Sequence, residues 1–314
     1  LAQFFRVIDI AHDASASRCA LTKRDLYYRD VSIFGTQSVV NHLVDDIAAT
    51  LSLSRSDLGI RASPKGLFCG AGLTIHFHDG CSVGGIDTEA SLIPATEDIA
   101  RFELSGDISW ILIVEKEAVF QTLCSAAMTC HPSLPGPGIL LTGKGYPDVA
   151  TRQIVKTFSD NLPEDVPILV LVDADAYGLD IASVYKFGSL AMEHENGTLA
   201  AHRVEWIGVS CAEVVRMGLD RDALLPITEH DQRKALAMLR SDRYIPGKWR
   251  RELMHMLHTR RKAEIEVLSS LLSPRNTEGI EQYEFRKKRQ RTLSSSPLVQ
   301  YVTNSINRVL DGST

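Results

Sequence analysis

At 314 residues, 44% hydrophobic and 23% charged, the chain has the size and composition of a globular protein with two ordinary domains. No stretch approaches the roughly 18 apolar residues of a membrane helix, and six scattered cysteines without a CxxC pair argue against a disulfide scaffold and for reduced, intracellular packing residues. A formal net charge of −5 excludes a chain that is basic all over, yet allows a basic groove on an acidic body. Leu1 carries no start or leader signature, so the chain is expected to be a piece of something longer.

Residues 1–66 read as a mostly helical domain. Val39, Val40, Leu43, Ile47 and Leu51 recur at helical spacing. Residues 55–60 predict one more helical turn, Ser63-Pro64-Lys65-Gly66 is a turn signal, and a strand is expected to start at Leu67. Helix, short helix and turn-bearing ribbon is the order of a winged helix. Residues 67–108, rich in Gly, Ser and Asp, predict connecting strands and loops.

From residue 109 the pattern changes to alternating strand and helix. Apolar runs at 111–114, 138–141, 168–172 and 204–209 predict four strands. Helical stretches through Ala118 and Leu123, from about Asp148, and through Ile181 and Val184 separate them. This alternation implies a parallel sheet covered by helices, with ligands beyond the carboxyl ends of its strands. Residues 211–314 predict mainly helices, interrupted at 273–296 by Pro, Asn, Gly, three consecutive serines and the basic run 286–291. That stretch is expected to be a loop insertion; its basic run suits a nuclear localisation signal, a DNA-touching loop or a solvated surface equally.

Two constellations carry chemistry. The first is acidic: Asp173 and Asp175 follow one apolar run, and Glu115 stands directly after another. Three carboxylates at one sheet edge repel one another, and a divalent cation relieves that repulsion. Oxygen ligands without His or Cys suit Mg²⁺. Glu117 is the rival to Glu115, and helix capping or solvation the plainer reading of all these acids. Gly143-Lys144-Gly145 at a third strand end offers amides and an ammonium to a phosphate, but GxxxxGK[ST] is absent, which removes support for ATP hydrolysis. The second constellation is TKRDLYYRDV at 22–31, where Arg24 and Tyr28 share a helix face. A phenol, with an ordinary pKa of about 10, is a weak nucleophile at neutral pH. An adjacent guanidinium favours its phenolate and can hold the phosphate under attack. The plainer reading is an amphipathic surface helix. His76, His78 and Cys81 have poor zinc spacing and read as strand or loop polar residues.

Taken together, Glu after a strand, Gly-Lys-Gly and Asp-x-Asp-x-x-Gly resemble a Toprim domain. Preceded by a winged helix bearing Arg-Asp-x-x-Tyr, they resemble the topoisomerase VI A-subunit family, most of all its eukaryotic meiotic double-strand-break members. The stretches that carry the likeness are TKRDLYYRDVSIFG (22–35), ASPKGL (62–67), ILIVEKEAVF (111–120), LLTGKGYPDVATR (140–152), LVDADAYGLDIASVYKFGS (171–189) and KAEIEVL (262–268).

The resemblance implies an α/β protein: a winged-helix domain over 1–66, lacking part of its start, connecting strands over 67–108, and a Toprim domain with helical extension over 109–314. It implies Tyr28 as nucleophile with Arg24 beside it and Tyr27 as neighbour, and Mg²⁺ on Glu115, Asp173 and Asp175. Lys23, Arg29 and Lys65 are expected along the DNA path near the tyrosine, and Lys144 and Arg152 near the metal. The implied activity is double-strand DNA cleavage through a 5′-phosphotyrosyl link, initiating meiotic recombination. The implied partners are duplex DNA, a second copy of the chain, other meiotic break-promoting proteins and an ATPase-like B subunit, on chromosomes in the nucleus. The alternatives are the A component of a type IIB topoisomerase working with an ATPase partner, another Toprim enzyme, and a non-catalytic DNA-binding member. Ala176 departs from the family pattern, where proline is common.

Overall fold

The computed structural model describes residues 1–17, 20–53, 55–61, 63–217, 224–241, 243–270 and 296–312, without the side chains of residues 190, 191, 194, 269 and 270. All but the last residue of the expected insertion at 273–296 lies outside them.

Residues 1–61 form a helical unit: α1 (Ala2–Ser17), β1 (Leu21–Thr22), α2 (Lys23–Arg29), α3 (Val31–Phe34), α4 (Gln37–Leu51) and β2 (Ile60–Arg61), with β1 and β2 paired in parallel. Its core joins Val7, Ile10, Leu26, Phe34, Val40, Val44 and Ile47. The buried face of α4 runs through Val40, Val44, Ile47 and Ala48, whereas Leu51 is exposed. Residues 55–60 make hydrogen-bonded turns, Leu58 N–H to Arg55 O at 3.2 Å and Gly59 N–H to Ser56 O at 2.9 Å, and run into β2.

Strand β3 (Leu67–Cys69), expected to open a ribbon of this unit, instead joins the main sheet, antiparallel to a later strand. The reason is burial: all three of its residues are inside, which a solvent-facing ribbon does not permit. The following segment also holds more regular structure than connecting strands and loops imply. There β4 (Leu73–Phe77), β5 (Ser82–Gly84) and β7 (Ile99–Leu104) form an antiparallel sheet of order β5-β4-β7, and β6 (Ser91–Leu92) pairs with β3.

The main sheet has the order β11-β10-β8-β9-β3-β6. Four consecutive strands, β8 (Trp110–Val114), β9 (Gly138–Thr142), β10 (Ile168–Leu171) and the edge strand β11 (Val204–Gly208), are parallel to their neighbours in that set. They are the four strands expected from the apolar runs. Every residue of β8, β9 and β10 is buried, because helices cover both faces. One face packs α6 (Val149–Asn161) and α7 (Ala176–Phe187). The other packs α5 (Glu117–Ser125) and the last helix, Pro297–Leu310. Each fully buried aliphatic side chain contributes about 1.5–3 kcal/mol.

Gly178 is a close-approach glycine in α7. A Cβ there would lie 2.3 Å from the Asp173 carbonyl oxygen, so the helix reaches the strand end only if this position has no side chain. Gly178→Ala is therefore expected to cost about 2–4 kcal/mol in urea unfolding and to displace the loop 173–178 as well. An unchanged midpoint would contradict this packing account.

Candidate nucleic-acid cleavage site

The acidic edge is built by adjacent parallel strands. Because β8 and β10 pair in register up to Val114 and Leu171, the next residues emerge side by side at the carboxyl end of the sheet. Glu115 N–H donates to Leu171 O at 3.0 Å. Asp173 N–H donates back to Glu115 Oε2 at 2.9 Å. Asp173 is 7% exposed; its Oδ1 accepts from Ile265 N–H at 2.8 Å and its Oδ2 lies 3.0 Å from Lys116 Nζ. Asp175 caps α7, accepting from Gly178 N–H at 2.8 Å, and its Oδ2 is 3.6 Å from Lys262 Nζ. Ala176 is the first residue of that helix, where the cap leaves no ladder bond to lose. The missing proline therefore changes no hydrogen bond.

Electrostatics ties the three acids together. Burial pushes the Glu115 carboxyl up to about 7, and the nearby Asp173 and Asp175 charges add to the rise. Burial also raises Asp173, to about 6, against the opposing pull of the Ile265 N–H and Lys116. Glu117, the rival, is 46% exposed at its side chain and pairs with Lys144 Nζ at 3.0 Å.

The donor set is hard, oxygen-only and net negative, which fits a cation of the Mg²⁺ type. Its carboxylates also hold protein partners. Among the described residues no group of three or more His, Cys, Asp or Glu side chains is arranged to hold a metal ion as it stands. The partners are Lys116 and Lys262. Neither lysine stands out in the sequence, although both lie inside the stretches ILIVEKEAVF and KAEIEVL. Their pairing with Asp173 and Asp175 is made by tertiary folding.

The Gly-Lys-Gly loop sits against the same edge. Gly145 N–H donates to Glu115 O at 2.9 Å. Lys144 adopts a left-handed φ of 52° and Gly145 one of 86°. Lys65 is exposed, its N–H donating to Asp148 Oδ2 at 2.7 Å and its Nζ to Lys144 O at 3.3 Å. Lys65 and Lys144 are thus brought together with Glu115.

Arg152, expected beside the metal on the DNA path, is not at the surface. It is 2% exposed, and its guanidinium donates to Asn196 Oδ1 at 3.2 Å and meets Met192 Sδ at 3.8 Å. The periodicity of α6 turns this position inward along with Thr151 and Val155. Arg152→Met is expected to lower stability by about 1–3 kcal/mol and to leave DNA affinity within twofold, read by urea unfolding and filter binding. A selective loss of binding in a stable variant would restore the surface role.

The tyrosines sit on α2. Thr22 caps the helix in a reciprocal box: Asp25 N–H donates to Thr22 Oγ1 at 3.0 Å, and Thr22 N–H to Asp25 Oδ2 at 3.0 Å. Leu26 is buried against α4 while Arg24, Tyr28 and Arg29 are exposed. Tyr28 is 60% exposed, and the Arg24 guanidinium stands 5.8 Å from its ring centre. Tyr27 is half-buried, its ring 5.3 Å from that of Tyr28, and its hydroxyl donates to Gly35 O at 3.4 Å. The two neighbours therefore differ: the Tyr28 hydroxyl faces solvent and the Tyr27 hydroxyl faces its own chain. Lys23, expected on the DNA path, is instead engaged by Asp45 at 2.5 Å and Asn41 O at 3.3 Å. Its burial lowers its pKa despite that partner. The core of α2 belongs to the N-terminal unit and that of the acids to the sheet, so the two constellations occupy separate units of the chain.

Comparison with known proteins follows the same division. The family model of the Toprim domain of the topoisomerase 6 A-subunit/Spo11 proteins matches residues 110–277, and that of the type IIB DNA topoisomerases matches residues 1–60. The meiotic recombination protein SPO11 of Mus musculus is 35% identical over 274 residues, covering 87% of this chain and 67% of the relative. The A3 form of the DNA topoisomerase 6 A-subunit in Oryza sativa subsp. indica is 36% identical over 270 residues, covering 84% and 59%. The meiotic recombination protein rec12 of Schizosaccharomyces pombe is 34% identical over 274 residues, covering 85% and 73%. The chain spans about two thirds of the length of these relatives.

Proposed function

This chain belongs to the topoisomerase 6 A-subunit/Spo11 family, and on that footing we propose that it forms DNA double-strand breaks by tyrosine transesterification, as the initiating step of meiotic recombination. The observation that carries the reading is the pairing of a solvent-facing tyrosine beside a guanidinium, in the segment that matches a type IIB topoisomerase, with a buried acidic edge in the segment that matches a Toprim domain.

In this reading the Tyr28 phenol oxygen attacks a backbone phosphorus. The P–O3′ bond breaks, a 5′-phosphotyrosyl ester forms, and the phenol proton is lost as the departing 3′-oxygen gains one. One phosphoester is exchanged for another, so no nucleotide is consumed. Arg24 orients the phosphate at the phenol, and exposed Arg29 and Lys65, with Lys144 at the acidic edge, follow the backbone on either side. Glu115, Asp173 and Asp175 would hold Mg²⁺, which supplies positive charge to the phosphate and to the developing 3′-oxyanion.

As the family resemblance implies, Tyr28 of one copy works at the acids of a second, and two-fold symmetry gives one cut per strand. Duplex DNA, further break-promoting proteins and a B-type partner complete the assembly, on chromosomes in the nucleus. The likeness to the rice topoisomerase 6 protein supports a second reading, the reversible cleaving component of a type IIB topoisomerase with an ATPase partner. Purified chain incubated with labelled duplex and Mg²⁺ distinguishes both from a nuclease, since transesterification leaves protein on 5′ ends and hydrolysis leaves free ends. Free ends alone would refute the proposal.

A further inference from the structure

The acidic edge carries its own positive charge. Lys116 Nζ lies 3.0 Å from Asp173, 3.4 Å from Glu264 and 2.7 Å from Glu266. Lys262 Nζ lies 3.6 Å from Asp175 and 2.9 Å from Asp231. Glu115 accepts from the Asp173 amide beside them. Five carboxylates thus share two ammonium groups, with Glu115 adjacent, and a negative excess remains.

The segment 261–267 brings much of this charge to the edge. Ala174 N–H donates to Ala263 O at 2.8 Å, so the segment lies antiparallel along the acid-bearing loop. Ile265 N–H fixes Asp173 Oδ1, and the Ile265 and Leu268 side chains anchor the segment in the core. KAEIEVL is therefore a strap laid across the candidate cation ligands.

The pairing distances are uneven. Each ammonium is closer to an acid outside the candidate ligand set, Glu266 for Lys116 and Asp231 for Lys262, than to the ligand carboxylate it also touches. We propose that Lys116 and Lys262 are the resident counter-ions of this site, and that a divalent cation enters by taking Asp173 and Asp175 from them. Each lysine keeps its nearer acid when that happens, so the strap stays docked while the ligand carboxylates turn to the ion. The lysines compete with the ion for these carboxylates and so set how tightly it binds. This rests on the reading of Glu115, Asp173 and Asp175 as cation ligands.

The sign of the effect separates this role from simple structural support. Loss of a supporting contact weakens ion binding, whereas loss of a competing cation strengthens it. Mn²⁺ alone, added to the full chain and followed by the fall in its free-ion paramagnetic resonance signal, reads the affinity without DNA or activity. Lys116→Gln is expected to tighten Mn²⁺ binding by about tenfold, the order expected from removing one unit charge a few ångströms away. Lys116→Arg keeps the charge and is expected to stay within about twofold of wild type. Lys262→Gln should also tighten binding, and it carries the test should Lys116→Gln fail to fold. Unchanged or weakened binding in the glutamine variants, with wild type binding normally, overturns the counter-ion role and leaves the ligand set standing. Absence of binding in wild type and variants alike at millimolar Mn²⁺ removes the ligand set itself, and the counter-ion role with it.

Discussion

Replacing Tyr28 by Phe is expected to abolish covalent protein–DNA adducts, by at least about a thousandfold, while DNA affinity stays within about twofold. The phenylalanine ring keeps the stacking with Arg24 and Tyr27, and α2 keeps its capping box and its buried Leu26, so neither fold nor surface charge changes. Only the attacking oxygen is gone, and a substitution at the nucleophile removes the reaction path rather than slowing it. Tyr27→Phe is the internal control. Its hydroxyl serves a 3.4 Å bond to Gly35 O, so adduct yield should fall by no more than about threefold, in line with the weak contribution of one long hydrogen bond. Denaturing gels of labelled duplex after protease treatment read both variants. Adducts that survive in Tyr28→Phe and vanish in Tyr27→Phe would exchange the roles of the two residues.

Glu115→Gln is the second substitution with a large expected effect, and it acts in two directions. Cleavage should drop by at least about a hundredfold, because an amide loses the charge that would hold the cation. Stability of the metal-free protein should rise at alkaline pH. The sign follows from linkage. The Glu115 carboxyl rises from its ordinary 4.5 to about 7 in the folded chain, so between those values the native state holds more protons than the unfolded state. The stability this group contributes is full below pH 4.5 and is lost as pH climbs through 7. Glutamine stays neutral and can still accept the Asp173 N–H, so it escapes that loss. The variant's melting temperature should exceed wild type by about 2 °C at pH 8, and the advantage should shrink toward pH 5. Added Mg²⁺ should raise the wild-type value at pH 8 and leave the variant nearly unmoved. A variant less stable than wild type at pH 8 would mean that Glu115 is a structural acid.

Much of this is legible in the sequence, for identifiable reasons. The parallel strands β8, β9 and β10 read as unbroken apolar runs because both faces are covered. Glu115, Asp173 and Asp175 stand out because carboxylates directly after such runs land on one sheet edge, and the glycine three residues past Asp175 marks the close approach that puts α7 there. The features that escape sequence reading are tertiary. An arginine beside a motif looks the same whether it turns out to solvent, as expected of Arg152, or inward to Asn196. Lys116 and Lys262 are far apart in the chain: Lys116 meets Asp173 across the paired ends of β8 and β10, and Lys262 meets Asp175 through the strap. Strand β3 follows a turn signal and so reads as the next piece of the helical unit, but its three buried residues need a sheet with two covered faces.

Mixed dimers test the central claim most directly. Differently tagged Tyr28→Phe and Glu115→Gln chains would be co-purified and given labelled duplex with Mg²⁺. Each variant alone should be inactive. If tyrosine and acids meet across two copies, the hybrid rebuilds one complete site, and single-strand nicks appear with the Glu115→Gln chain attached to the 5′ end. If both belong to the same copy, no hybrid holds a complete site, and the mixture stays as inactive as its components.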